Sequence, residues 1–129
     1  MTLIHRLDAA IGELASIQER LRAIVQGTED NWKHSYVELR RQMQATFDRM
    51  SVLTEEIKLS GIVPDLITQY RERLSKLRHK TALHQASWPV VLIDPSDPAY
   101  ATSRVEVRQA ARDFIVTAKE VLAALRRTE

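Results

Sequence analysis

Histidine is the side chain best suited to acid–base work or metal binding near neutral pH, and this sequence has four, at His5, His34, His79 and His84. His79 and His84 are five residues apart, so a helix would place them about 140° apart and on different faces. No His-Glu-x-x-His spacing occurs, and no acidic cluster adjoins a histidine as it does in di-iron bundles. The sequence therefore predicts neither a metal site nor a cofactor.

Signatures of nucleophilic catalysis and of phosphate loops are also missing. The chain has no cysteine, no Gly-x-Ser-x-Gly elbow and no glycine-rich loop. The adjacent acids Glu55 and Glu56 would point in different directions around a helix, which favours solvated faces over a catalytic pair. We therefore predict a protein without enzymatic activity.

His79, followed by Lys80, keeps signalling open as an alternative function. Histidine phosphotransfer requires an exposed imidazole with a lysine nearby on a helical bundle, but the usual His-x-x-Lys-Gly arrangement is missing here. The similarity therefore rests on architecture alone, and it implies a phosphotransfer-like or regulator-binding domain. His84 lies on an apolar stripe, which predicts a partly buried histidine with a hydrogen bond near a helix end.

The basic residues between Arg71 and Lys80 suggest a second alternative, nucleic-acid binding. The net charge is only +2, yet residues 64–86 carry five basic and two acidic side chains. No helix-turn-helix pattern accompanies them. Outward-facing basic residues also keep a helix soluble and suit the negative end of its dipole, so nucleic acid is the less favoured partner.

The elements that position these residues are predicted to be helices. With three glycines, four prolines and 5% aromatic residues, the composition indicates an all-α protein. The longest helix is predicted over Thr28–Ser60, about 32 residues. Apolar residues recur in it every seven positions, and a second apolar column lies three positions further on, which is typical of a helix with a narrow buried stripe. The first column is Tyr36, Met43, Met50 and Ile57, and the second is Leu39 and Leu53.

Three further amphipathic helices are predicted, from Thr2 to about residue 26, from Pro64 to Trp88, and from Asp97 towards the end of the chain. Together they predict one helical domain over residues 1–129, arranged as a four-helix bundle or as an elongated array of helical hairpins. Stop and start signals at Gly27 and Thr28 favour a hairpin between the first two helices. A continuous coiled coil with a four-residue stutter remains the alternative.

The connection between the third and fourth helices is predicted to be apolar and non-helical. Trp88–Ile93 is rich in β-branched residues, and residues 94–98 contain two prolines and two aspartates typical of a turn. In water such a run would favour aggregation, so we expect it to be covered. It would cross the end of the bundle, or run along a groove and return the last helix parallel to the third.

The apolar stripes suggest the function. Helices of unequal length cannot cover one another completely, and exposed apolar stripes mark sites for a partner helix or a second copy. We therefore predict a non-enzymatic interaction protein, an adaptor or export-type chaperone, that forms a homodimer or one half of a complex. Small helical export chaperones, including flagellar ones, are similar in size and character. The predicted partner-binding residues are Met43, Met50, Leu53, Trp88, Val90, Leu92 and Ile93.

A cytoplasmic location is the simplest expectation. Residues 1–11 contain Arg6 and Asp8 and no continuous apolar block, which does not fit a signal peptide. The longest apolar run elsewhere is far too short to span a membrane.

Overall fold

The computed structural model describes residues 2–26 and 31–129 and contains four α-helices. They are α1 (Leu3–Gln26), α2 (Trp32–Lys58), α3 (Pro64–Ser87) and α4 (Pro98–Arg127), with a single 3₁₀ turn at Val90–Leu92. No strand occurs in these two ranges, so the all-α prediction is confirmed.

Local sequence signals set most of the helix ends. Thr2 Oγ1 accepts a hydrogen bond from the His5 amide at 3.2 Å, and Asp97 Oδ1 accepts one from the Ala99 amide at 2.8 Å. Pro64 lies in the first turn of α3, where its missing N–H is not needed. Gly61 follows α2 with φ +83°, a left-handed conformation that favours glycine. The predicted start of α2 at Thr28 lies outside the described residues.

The four helices form an up-down-up-down bundle in which every neighbouring pair is antiparallel. The α2–α3 contact is the sparsest of the four seams. Two contacts fix the direction of each of three helix pairs: Arg6–Glu56 and Arg20–Gln42 for α1 and α2, Arg73–Thr117 and His84–Ser103 for α3 and α4, and Gln18–Arg104 and Asp8–Arg126 for α1 and α4. It follows that α2 and α3, which meet at Ser51 and Arg78, are antiparallel as well. Helices α1 and α2 are therefore a hairpin, and the bundle is the correct alternative.

The α3–α4 connection crosses the end of the bundle at which α2 begins. Lys33 Nζ donates to the carbonyl oxygen of Val91 at 3.0 Å, and the Arg40 guanidinium donates to that of Trp88 at 2.8 Å. The segment is not wholly non-helical, because Val90–Leu92 form the 3₁₀ turn. Pro89 stops α3 but leaves its own carbonyl free to accept from the Leu92 amide at 2.8 Å.

The stripe of α2 lies inside the core, along its full length. Its members are at most 6% exposed: Tyr36, Leu39, Met43, Met50, Leu53 and Ile57. Helix α2 has 27 residues rather than about 32, so the prediction that it is the longest helix is wrong: α4 has 30 residues. The length of α2 is close to the 24 residues of both α1 and α3. Because its neighbours match it in length, they cover the stripe, and the expectation that it stays exposed does not hold.

Candidate functional site

The residues predicted to bind a partner divide into buried and exposed groups. Met43, Met50, Leu53 and Ile93 are buried in the monomer, and Trp88 and Val90 are half-buried against the core. Leu92 is exposed, as is its neighbour Val91. Partner binding through Met43 or Met50 would therefore require the bundle to open, whereas Leu92 is accessible as it stands.

The two histidines considered for phosphotransfer lie in different surroundings. His84 is buried and its Nδ1 lies 2.6 Å from Ser103 Oγ, which confirms the prediction of a histidine hydrogen-bonded near a helix end. His79 is exposed and lines a wide groove of about 990 Å³ between α2 and α3. Of these two, His79 is the one accessible for phosphotransfer, and that function stays a prediction.

The basic residues of α3 contact neighbouring helices. Arg78 bonds to Ser51 and lies 3.6 Å from the Asp48 carboxylate, and Arg73 donates to Thr117. Lys80 lies 3.8 Å from Glu106. These three basic side chains are therefore engaged within the bundle, whereas nucleic-acid binding would require them to contact phosphates.

An apolar groove lies on the outer face of the α1–α2 hairpin. Its volume is about 430 Å³, and its apolar lining is Ala9, Ala10, Val52 and Leu53. The two alanines of α1 are short, so they leave a hollow opposite Val52, which is 65% exposed. Leu53, one of the predicted partner-binding residues, contributes the buried side of the groove.

Charged pairs frame this groove at both ends. The Arg6 guanidinium donates to the Glu56 carboxylate at 2.6 Å, and Arg49 pairs with Glu13 across the same two helices. The Arg6 hydrogen bond holds the pKa of Glu56 below its ordinary value. An apolar floor with a polar rim is the usual anatomy of a protein–protein interface.

Leu59 directly follows the last residue of α2, and its seven-residue separation from Val52 would place it on nearly the same side of the helix. It is 89% exposed, the highest exposure among the large hydrophobic side chains of the described ranges. As the C-cap residue it keeps helical backbone angles, φ −91° and ψ −1°, so it lies two turns beyond Val52. Sequence analysis missed both residues, although their seven-residue spacing beside the core stripe was a readable signal.

A polar cluster interrupts the core at the opposite end of α2. The hydroxyls of Tyr36 and Tyr100 lie 3.0 Å apart, and Arg104 donates to Gln18 Oε1 at 3.3 Å inside the bundle. Burial raises the pKa of Tyr100, and its hydrogen bond with Tyr36 raises it further. The core here is held by hydrogen bonds as well as by apolar packing.

No family model, curated protein or solved structure matches the chain. Within residues 2–26 and 31–129, none of the helices combines the length and the apolar character that crossing a bilayer requires. In the same ranges no three histidine or acidic side chains gather as a metal site. The candidate site is therefore described by its geometry, an apolar groove with an exposed leucine two turns away.

Proposed function

We propose that this chain is a non-enzymatic helical interaction module that pairs with a second copy of itself through the α1–α2 face. The observation that carries the proposal is a hollow between Ala9 and Val52, followed seven residues after Val52 by the highly exposed Leu59, which helical spacing places on nearly the same side of α2. A surface that holds both parts is self-complementary, as an isologous two-fold interface requires.

The spacing along α2 fits such a pairing. Val52 and Leu59 are seven residues apart, which is about 10.5 Å along a helix and almost the same direction around it. If two α2 helices cross antiparallel, with the two-fold axis midway between these positions, Leu59 of each copy lies over the groove of the other. Each occupied groove would then bury a leucine against alanine, valine and leucine.

The charges near the proposed axis do not oppose this arrangement. Glu55 and Glu56 lie between Val52 and Leu59, and unpaired acids there would repel their counterparts in the second copy. Glu56 is paired with Arg6, and Glu55 with Lys58 at 3.4 Å. The two copies would therefore meet as locally neutral surfaces.

The apolar contribution is of the right order for a reversible dimer. Burying an exposed valine or leucine contributes about 1.5–3 kcal/mol, and the two-fold axis doubles each contribution. This gain opposes an association cost of about 4–15 kcal/mol. We therefore expect a dimer that depends on these two side chains and dissociates when either becomes polar.

The adaptor or chaperone role belongs to the other end of the molecule. The turn carrying Val91 and Leu92 is held beside the start of α2 by Lys33, whereas Leu59 follows the end of α2. About 26 helical residues separate Lys33 from Leu59, or roughly 39 Å. A dimer formed through the groove would leave both copies of the exposed turn free for a further protein.

Sedimentation equilibrium of the wild type and of single aspartate variants tests the proposal. We expect the wild type to sediment with the mass of two chains, and Val52→Asp and Leu59→Asp to sediment as one chain with unchanged helicity by circular dichroism. Val116→Asp on α4, 54% exposed, is the matched control and should remain dimeric. A monomeric wild type, or equal dissociation by Val116→Asp, would refute the groove as the interface.

A further inference from the structure

Helix α4 carries three arginines in succession on the side that borders α1. Arg104, Arg108 and Arg112 follow one another at four-residue intervals, so they lie one turn apart along one side of the helix. Arg104 is buried and donates to the Gln18 side chain of α1, whereas Arg108 is half-buried and Arg112 is exposed. Like charges at this spacing destabilise a helix, so the arrangement costs stability in the free protein.

A fourth arginine, Arg22, joins them from α1. The pKa of Arg108 is lowered first by burial and then by the charges of Arg104 and Arg112. The charge of Arg22 lowers it further, whereas Glu19 raises it. Among the residues that the structure describes, four guanidinium groups therefore act on one region of the α1–α4 contact together with one carboxylate.

The nearby acids are committed to other partners. Each of the three acids of α1 pairs with a different arginine: Glu19 with Arg22, Asp8 with Arg126 and Glu13 with Arg49. The α4 acids closest in sequence are engaged as well, Glu106 with Lys80 of α3 and Asp113 with Gln109. Within the described ranges, neither Arg108 nor Arg112 forms a salt bridge, and the Arg108 Nε is buried without a hydrogen-bond partner.

We propose that Arg108 and Arg112 bind a phosphate dianion, either free phosphate or the monoester group of a small phosphorylated molecule. A guanidinium group presents a planar fork of N–H donors that matches the oxygens of phosphate. Two uncompensated guanidinium groups one turn apart match the nearly two negative charges that such a group carries near neutral pH. The bound anion would offset the repulsion between the arginines, with Arg104 adding positive charge behind them.

The number of charges favours this ligand over other anions. A carboxylate or a chloride ion brings one negative charge and would leave one of the two guanidinium groups uncompensated. Each phosphate in a nucleic-acid backbone also brings one charge, and binding to that backbone depends on many such contacts. Two free arginines are too few for it, whereas they suffice for one phosphate dianion.

This site and the groove proposed for self-association lie on different sides of α1. The groove is formed with α2, opposite Val52, whereas the arginines belong to the α4 side. Phosphate binding is therefore independent of the dimer proposal, and both copies of a dimer would keep the site open.

Thermal unfolding in inorganic phosphate, compared with sodium chloride at equal ionic strength, tests the site. The unfolding midpoint of the wild type should rise with phosphate, because the folded state alone holds the arginines together. Arg112→Gln should weaken phosphate binding at least about tenfold, so the same rise needs at least about ten times more phosphate. In chloride its midpoint should be equal to or higher than that of the wild type, because the repulsion is relieved.

Arg127→Gln is the matched control. It removes an exposed arginine from the last turn of the same helix and changes the net charge by the same amount. Phosphate also stabilises folded proteins generally, by exclusion from their surface, so the difference between the two variants measures the site itself. Arg127→Gln should respond to phosphate as the wild type does.

Three outcomes would overturn the proposal. The first is an equal phosphate response of the wild type, Arg112→Gln and Arg127→Gln. The second is a midpoint of Arg112→Gln below that of the wild type in chloride, since Arg112 would then be a structural residue. The third is calorimetric titration in which a DNA duplex binds and inorganic phosphate does not.

The same titration with glycerol phosphate separates the two sources of the dianion. Tighter binding of the ester than of inorganic phosphate would assign the site to a phosphorylated small molecule, and equal or weaker binding would assign it to free phosphate. In either case Arg112→Gln should weaken binding at least about tenfold.

Discussion

His84 is a titratable side chain that the fold holds in its neutral form. It packs beside Tyr100, with ring centroids 5.5 Å apart, and faces the charges of Arg104 and Arg40. Burial contributes most to lowering its pKa to about 4. A protonated His84 would place a third positive charge among two buried or half-buried arginines, so folding and protonation of this residue oppose one another.

We expect the free energy of unfolding to fall as the pH is lowered from about 6.5 to about 4, because the unfolded chain takes up a proton near the ordinary histidine pKa and the folded chain does so only near 4. The loss attributable to His84 is of the order of 3 kcal/mol at most. Urea unfolding at a series of pH values measures it. His84→Gln should flatten this slope.

The control for this prediction is His79→Gln, which removes an exposed histidine from the same helix. It should leave the slope as in the wild type. A slope that survives His84→Gln would place the responsible group elsewhere.

Helix α4 begins at a single side-chain cap. Asp97 Oδ1 accepts the Ala99 amide hydrogen bond, and Pro98 occupies the first turn. This arrangement ends the α3–α4 connection and sets the position of Tyr100, one turn further along, against Tyr36.

Replacing Asp97 with alanine should destabilise the protein by about 1 kcal/mol, because the first turn loses its cap. Chemical denaturation measures the change. Asp97→Ser, which restores an acceptor, should recover most of it. If both variants were equally destabilised, the effect would come from the charge of Asp97 rather than from the cap.

The helices were predictable because local signals and apolar periodicity agree. Pro64, Gly61 and Asp97 mark ends, and the stripe through Val107, Phe114 and Val121 marks the buried face of α4. Which polar side chains are buried along these stripes was harder to predict. Arg104 lies three residues before Val107, so the stripe pattern places it on the buried face. Charged residues are rarely buried, however, so its residue type argued for exposure.

The groove could not be predicted for a different reason. It depends on which residues of α1 lie opposite Val52, and that is set by how two helices align in space. Ala9 and Ala10 are small residues on an amphipathic helix, and nothing in their local sequence indicates a hollow. The path of the α3–α4 connection was likewise open, since ten extended residues could reach along the bundle as well as across its end.

At the scale of the whole molecule, the core is continuous through all four helices. Met50 is fully buried at its centre, whereas Leu92 is 64% exposed at its end. Met50→Ala should therefore lower the free energy of unfolding by about 2–5 kcal/mol, and Leu92→Ala should change it by no more than about 0.5 kcal/mol. Urea denaturation of the two variants compares them directly, and equal costs would contradict the burial of Met50.

Three seams of the bundle are well packed, and the one between α2 and α3 is sparse and bordered by an open groove. We therefore expect partial opening of the bundle to begin along the α2–α3 contact, parallel to the helix axes, rather than at a helix end. The α1–α2 hairpin and the α3–α4 hairpin can then separate at the α2–α3 contact while the α1–α4 contact stays in place as the hinge. Such a motion would uncover the thioethers of Met43 and Met50 while the helices themselves stay intact.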